Sequence, residues 1–243
     1  MNWLRLSIKK KLAGIALLSF ELITVLVLFI LSLIIFSFMA YMVFDLKSER
    51  LDHFVFAKTA TLVTPGLTAV MQFVTFFGNH QFLVPANLAL VVYFLFIKKH
   101  RWYSIKVPVI ALGGLLMMFS LKQLFNRPRP LVPLLQPVSG LSFPSGHALM
   151  SVSFYGLLIF LVWENITDRA LKWTLTVMLM LVIGLIGFSR IYLRLHYFSD
   201  VLAGFTAGLI WLASSIWTVR RIERYSRRKI EPAIVESELK HPA

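Results

Sequence analysis

Residues 12–44 read LAGIALLSFELITVLVLFILSLIIFSFMAYMVF, a run with a single charge, Glu21, and no proline. A bilayer core of about 30 Å is crossed by roughly 20 apolar residues in a helix, so this run is long enough to span. It is too long for a removable signal peptide and lacks the small-residue cleavage site of one, which leaves a resident transmembrane helix. Five further apolar runs follow at 82–97 (extended upstream through Phe77), 107–125, 148–163, 173–188 and 201–219. The last is closed by Arg220, Arg221, Arg224, Arg227, Arg228 and Lys229.

The whole chain has the same character. Of 243 residues, 58% are hydrophobic and 15% charged, and mean hydropathy is +0.77. Ordinary soluble domains are about 45–50% apolar and about 25% charged. There is too little polar surface here for a soluble globule and too much apolar surface for a disordered chain. The expected fold is all-α, a polytopic membrane protein with six transmembrane helices. The absence of cysteine excludes disulfides, thiolate nucleophiles and cysteine metal sites.

The net charge of +14 could suggest nucleic acid, but that requires a basic stripe on a soluble face. The positive residues lie instead in short clusters between apolar runs, as the positive-inside rule describes. Six spans put all but eight of the 25 Lys and Arg residues on one side. That side is expected to be the cytoplasm, with both termini there. The eight others are Lys47, Arg50, Lys58, Lys122, Arg127, Arg129, Arg190 and Arg194. Residues 51–77, interrupted by Lys58, Pro65 and Gly66, read as one or two amphipathic helices at the outer interface between the first two spans. The expected division is an N-terminal segment 1–81, a five-helix core 82–219, and a basic tail 220–243 that is polar and disordered beyond Lys229. There is no internal repeat.

Five of the eight outer cations fall in two stretches, 122–129 and 190–194, at span ends. Charges at such depth are costly and face a partner or a polar cavity. In Lys122-Gln-Leu-Phe-Asn-Arg127-Pro-Arg129-Pro130, a lysine point charge and two arginine forks suit phosphate oxygens. The bland alternative is a set of snorkelling anchors, which the rigid Pro-Arg-Pro segment disfavours. Pro144-Ser145-Gly146-His147 opens the fourth span. Its proline and serine suit ordinary capping, yet helix N-terminal N–H groups also make an anion site. A glycine there admits close approach, and His147 beside it can serve as acid or base.

His196 and Asp200, four residues apart, would share one helix face. A carboxylate on Nδ1 leaves Nε2 free to attack, which is triad logic with histidine as nucleophile. A surface His–Asp pair is the structural alternative. His147, His196 and Asp200 could also ligate a metal with an open position. The cations around them favour an anion over a cation, so no metal is expected.

Together these residues carry a family resemblance. Lys122-x6-Arg129-Pro130, Pro144-Ser145-Gly146-His147 and Ser189-Arg190-x5-His196-x3-Asp200 resemble, in order and spacing, the three-part signature of the type 2 phosphatidic acid phosphatase superfamily. The similarity covers roughly residues 82–217. The resemblance implies a cofactor-free, metal-independent lipid phosphate phosphatase in a bacterial plasma membrane, with its site facing the exterior. It implies His196 as the nucleophile that forms a phosphohistidine, Asp200 orienting it, and His147 as the acid and then base. Lys122, Arg129, Ser145, Gly146 and Arg190 would hold the phosphate, with Arg127 and Arg194 at the rim. Undecaprenyl diphosphate is the favoured substrate, with phosphatidylglycerophosphate or phosphatidic acid close; these serve cell-wall carrier recycling or phospholipid synthesis. The alternatives are a lipid phosphotransferase and, from another class, an anion or lipid-phosphate transporter. The transporter would need polar residues in mid-span, which this sequence lacks.

Overall fold

The computed structural model describes residues 2–134 and 139–230, with the side chains of 2–22 and of Lys229 excluded. Glu21 and the tail beyond residue 230 therefore lie outside the described residues. Among the described residues every regular element is a helix: α1 (Asn2–Phe44), α2 (Arg50–Ala60), α3 (Pro65–Phe76), α4 (His80–Val92), α5 (Arg101–Phe125), α6 (Gly146–Asn165), α7 (Arg169–Tyr192) and α8 (Phe198–Tyr225). Six stretches are long and apolar enough to cross a membrane: Ile23–Phe44, Pro65–Ile97, Arg101–Phe125, Gly146–Asn165, Arg169–Tyr192 and Phe198–Arg228. The fold is an all-helical bundle of six membrane spans.

The region between the first two spans holds two short helices, α2 and α3, as its outline in the sequence expects. The first, α2, buries Asp52 and Thr59 while exposing Phe54 and Lys58. Residues 65–76 belong to the second apolar stretch. Pro65 and Gly66 look like interruptions but open α3, where a proline costs no intrahelical bond. Thr64 caps that helix by accepting from Leu67 N–H at 3.2 Å. Its two ends both meet the same end of α7, Thr64 at Tyr192 Oη and Thr75 at Arg190, so α3 lies across that end of the bundle, and α4 follows after a break at residues 77–79.

Two features position the site. The first is the close approach of α8 to α6. A Cβ on Gly204 would lie 2.6 Å from the Ser145 carbonyl oxygen and 2.8 Å from Ala148 Cβ, and one on Gly208 would lie 2.8 Å from the Leu149 carbonyl oxygen. Small residues four apart let membrane helices pack backbone to backbone. Ser145 N–H donates to the Asp200 carbonyl at 2.9 Å, joining the starts of the two helices. The second is an aromatic cluster of Phe36 and Phe44 on α1, Phe125 at the end of α5, and Phe143, with ring centroids 4.9–6.0 Å apart. It pins α1 and α5 to the segment that leads into α6.

The opposite end is tied by ion pairs. Lys106, expected in a loop, lies within α5 and is 3% exposed. It meets Glu223 at 3.0 Å and sits over the Tyr103 ring. Arg227 also pairs with Glu223, and Arg220 with Glu164.

Candidate active site

Four helix termini converge at one end of the bundle: the C-termini of α5 and α7 and the N-termini of α6 and α8. Local sequence dictates each stop. Asn126 ends α5 in the left-handed conformation (φ 46°), one that Asn tolerates better than most residues. The Arg127-Pro128-Arg129-Pro130 segment that follows cannot continue a helix. After α7 the chain reverses through Arg194 (φ 53°), and the N–H groups of Leu195 and His196 return to the Arg190 carbonyl.

His196 does not share a helix with Asp200. It precedes α8, while Asp200 sits in the first turn of that helix. The turn still brings them together, with His196 Nδ1 3.6 Å from Asp200 Oδ2. Ser142 bridges that gap: its hydroxyl donates to Asp200 Oδ2 at 2.5 Å and lies 3.3 Å from His196 Nδ1. Asp200 Oδ2 also accepts from Tyr197 N–H at 2.9 Å. On the other ring edge, Arg129 Nη1 stands 3.3 Å from His196 Nε2. A guanidinium can only donate, so Nε2 is the acceptor and Nδ1 carries the proton, directed at Ser142 and Asp200. Burial, reinforced by the charges of Arg190 and Arg129 and opposed by Asp200, lowers the His196 pKa to about 3. The imidazole is therefore neutral, with its Nε2 lone pair turned to Arg129.

The cations divide into two kinds. Arg127, expected at the rim, is 5% exposed and sits at the centre of the carboxylate network. Its Nη1 donates to Asp200 Oδ1 at 2.6 Å and to Ser199 Oγ at 2.8 Å, and its Nη2 to Asp52 Oδ2 at 2.9 Å. Tyr197 stacks on its guanidinium at 3.9 Å. Burial opposes the charge, but Asp200 and Asp52 outweigh burial and raise the Arg127 pKa. Lys122, Arg129 and Arg190 instead have no carboxylate partner among the described residues. Lys122 Nζ donates to the Leu141 carbonyl at 2.5 Å. Arg129 donates to the Gly140 and Leu195 carbonyls at 3.1 and 3.0 Å, and burial lowers its pKa. Arg190 Nη1 donates to Thr75 Oγ1 at 2.9 Å, and its buried Nε has no partner among the described residues. Arg194 makes no side-chain hydrogen bond or ion pair among the described residues; its part here is the backbone reversal.

The buried Ser145 hydroxyl is likewise without a partner among the described residues. A Cβ on Gly146 would come 2.5 Å from Met118 Sδ, so the glycine makes room for Met118 at the start of α6, with Lys122 beside it. His147, one residue on, lies within electrostatic reach of Arg190, Arg129 and His196. Unpaired donors on Arg190 and Ser145, with Lys122 held by a carbonyl and Arg129 by two carbonyls and His196 Nε2, form a receptacle for an anion. Among the described residues no three His, Asp or Glu side chains converge as metal ligands; Asp200 is committed to Arg127, Ser142 and Tyr197. Asp52, Ser142, Ser199 and Thr75 were not singled out in the sequence. Only Ser142 carried a local signal, as a hydroxyl three residues ahead of Ser145.

Fold and site define an all-helical membrane protein with one cation-rich histidine centre at a set of helix ends. The profile of the PAP2 superfamily matches residues 102–224, and the chain belongs to that superfamily. Phosphatidylglycerophosphatase B of Bacillus subtilis is 30% identical over 156 residues, covering 63% of this chain and 76% of that protein. YbjG of Escherichia coli, a candidate undecaprenyl-diphosphatase, is 28% identical over 159 residues, with 63% and 76% covered. The crystal structure of a transmembrane PAP2-type phosphatidylglycerolphosphate phosphatase from Bacillus subtilis matches with a TM-score of 0.73 at 24% identity, over 81% of this chain and 98% of that one. That likeness establishes the shared fold. The protein is a membrane-embedded phosphatase.

Proposed function

We propose that this protein hydrolyses the terminal phosphate of a membrane lipid phosphate or diphosphate through a phosphohistidine on His196, at the exterior face of a bacterial plasma membrane. The observation that supports this reading most is the neutral, buried His196, its Nδ1 proton directed at Ser142 and Asp200 and its Nε2 turned toward Arg129. An incoming phosphate would take over the Arg129 N–H and the unpartnered donors of Arg190 and Ser145, with Lys122 and the Gly146 backbone at its other oxygens. Nε2 then attacks phosphorus, the bond to the lipid oxygen breaks, and that oxygen takes a proton from His147. Neutral His147 next removes a proton from water. The resulting hydroxide attacks phosphorus, and the P–N bond breaks to regenerate His196 and release phosphate. Preorganised donors aimed at the developing charge supply most of the acceleration expected of such a site.

Chemical logic places the site where a headgroup meets water while the acyl or prenyl tail stays among the helices. The positive-inside distribution of the basic loops favours an exterior site and cytoplasmic termini. Both named relatives act, by their names, on lipids that end in phosphate. Undecaprenyl diphosphate remains the favoured substrate, with phosphatidylglycerophosphate and phosphatidic acid next. Residues 82–219 form the proposed catalytic core, flanked by 1–81 and 220–243. Purified protein with EDTA is expected to release phosphate from at least one of these lipids. His196→Ala should lower the rate by about a thousandfold or more; full activity in that variant would refute the mechanism. A phosphorylated acceptor in place of free phosphate, detected by mass spectrometry, would identify a phosphotransferase instead.

A further inference from the structure

Asp52 is the one acid of α2, lies outside the stretch matched by the superfamily, and is 2% exposed. It accepts three hydrogen bonds. Ser199 N–H reaches Oδ1 at 2.9 Å, Ser199 Oγ reaches Oδ2 at 2.7 Å, and Arg127 Nη2 reaches Oδ2 at 2.9 Å. Ser199 stands in the first turn of α8, where backbone N–H groups have no partner within their own helix. Asp52 therefore caps α8 from another element, one residue before Asp200. The same carboxylate shares Arg127 with Asp200, so one guanidinium is divided between two acids. Without Asp52 the whole Arg127 charge would fall on Asp200, and nothing among the described residues would hold Nη2. A carboxylate that faces an undivided cation is a weaker partner for the Nδ1 proton of His196.

We propose that Asp52 is a positioning residue: from α2 it caps the first turn of α8 and holds Arg127, and so sets the Asp200 carboxylate that orients His196. Its position 148 residues before Asp200 makes the region between the first two spans part of the catalytic assembly. The outward face of the same helix, with Lys58, takes no part in this network.

The inference rests on the reading of His196 as nucleophile and Asp200 as its partner, and the experiment separates the two. Full-length protein in mixed micelles of detergent and lipid phosphate is assayed as wild type, Asp52→Asn, Asp52→Glu, Lys58→Ala, Asp200→Asn, and the Asp52→Asn/Asp200→Asn double variant. Asp52→Asn is expected to lower kcat by about ten- to a hundredfold with KM within about twofold. Asp52→Glu should recover part of the loss, and Lys58→Ala should match wild type. Once Asp200 is Asn, Asp52→Asn should add little, because it acts through that carboxylate. An equal loss in both backgrounds, or a rise in KM alone, would overturn the proposal. A second measurement needs no turnover. In protein labelled with 15N at histidine, the ring signals of His196 are identified by their loss in His196→Gln. They should move in Asp52→Asn and less so in Asp52→Glu; unmoved signals would overturn the proposal. If wild-type turnover does not depend on His196, the nucleophile reading fails, and the histidine signals still decide the role of Asp52.

Discussion

The two ends of the bundle use charge in opposite ways. At the end away from the site, Lys106, Arg220 and Arg227 each meet a carboxylate, Glu223 or Glu164. At the site, the two buried acids, Asp52 and Asp200, are both engaged by Arg127, and Lys122, Arg129 and Arg190 are left with carbonyl, hydroxyl or imidazole partners. A buried charge without a counter-charge costs folding free energy. One end therefore ties helices together, while the other keeps positive charge uncompensated where an anion can neutralise it. That is a stability–activity trade-off written into two regions of one molecule.

Removing an unpaired cation tests the contrast most severely. Arg190→Ala should reduce phosphate release by about a hundred- to a thousandfold, the scale of losing a transition-state donor, without lowering Tm. A large fall in Tm would mean that Arg190 holds the fold instead. Ser142→Ala is expected to cost about tenfold or more in kcat, since Nδ1 and Oδ2 are too far apart, at 3.6 Å, for a good direct bond. An unchanged rate would mean that the ring is held without the hydroxyl. At the other end the pattern should invert. Glu223→Gln leaves Lys106 buried beside a neutral partner, so Tm in detergent should fall by a few degrees while kcat stays within about twofold. A kcat loss with an unchanged Tm would erase the distinction between the ends.

The smallest effect is on pH dependence. His196 has a pKa near 3 in the folded protein against an ordinary value of 6.5. Between these values the unfolded chain binds a proton that the folded chain refuses. The contribution is complete above pH 6.5 and is lost as pH falls toward 3, by up to about 1.4 kcal/mol per pH unit. Tm measured from pH 7 to pH 4.5 should therefore decline more steeply for wild type than for His196→Gln. Parallel curves would contradict the buried, neutral imidazole.

Much of the bundle was legible in the residues because membrane helices must satisfy their own backbone in lipid, which forces long apolar runs. The two short helices between the first two spans were legible as well, since Pro65 and Gly66 mark where the second of them begins and a proline at a helix start is harmless. Of the site, His147, His196 and Asp200 stood out as charged or titratable groups at span ends. Arg127 did not separate from its neighbours, since an arginine two residues before another reads the same at a rim or in a buried ion pair. Asp52 left no local sign at all.

Composition and spacing determined that this chain is a helical membrane protein and which helix ends gather the candidate site, because hydrophobic length and the cost of buried charge act along the chain itself. Tertiary structure alone decided how the charges are shared. The Arg127 link between Asp52 and Asp200, the Ser142 bridge to His196, and the unpartnered donors of Arg190 and Ser145 depend on side chains brought together from distant helices. Electrostatic pairing is a property of distance in space, and no spacing along the sequence encodes it.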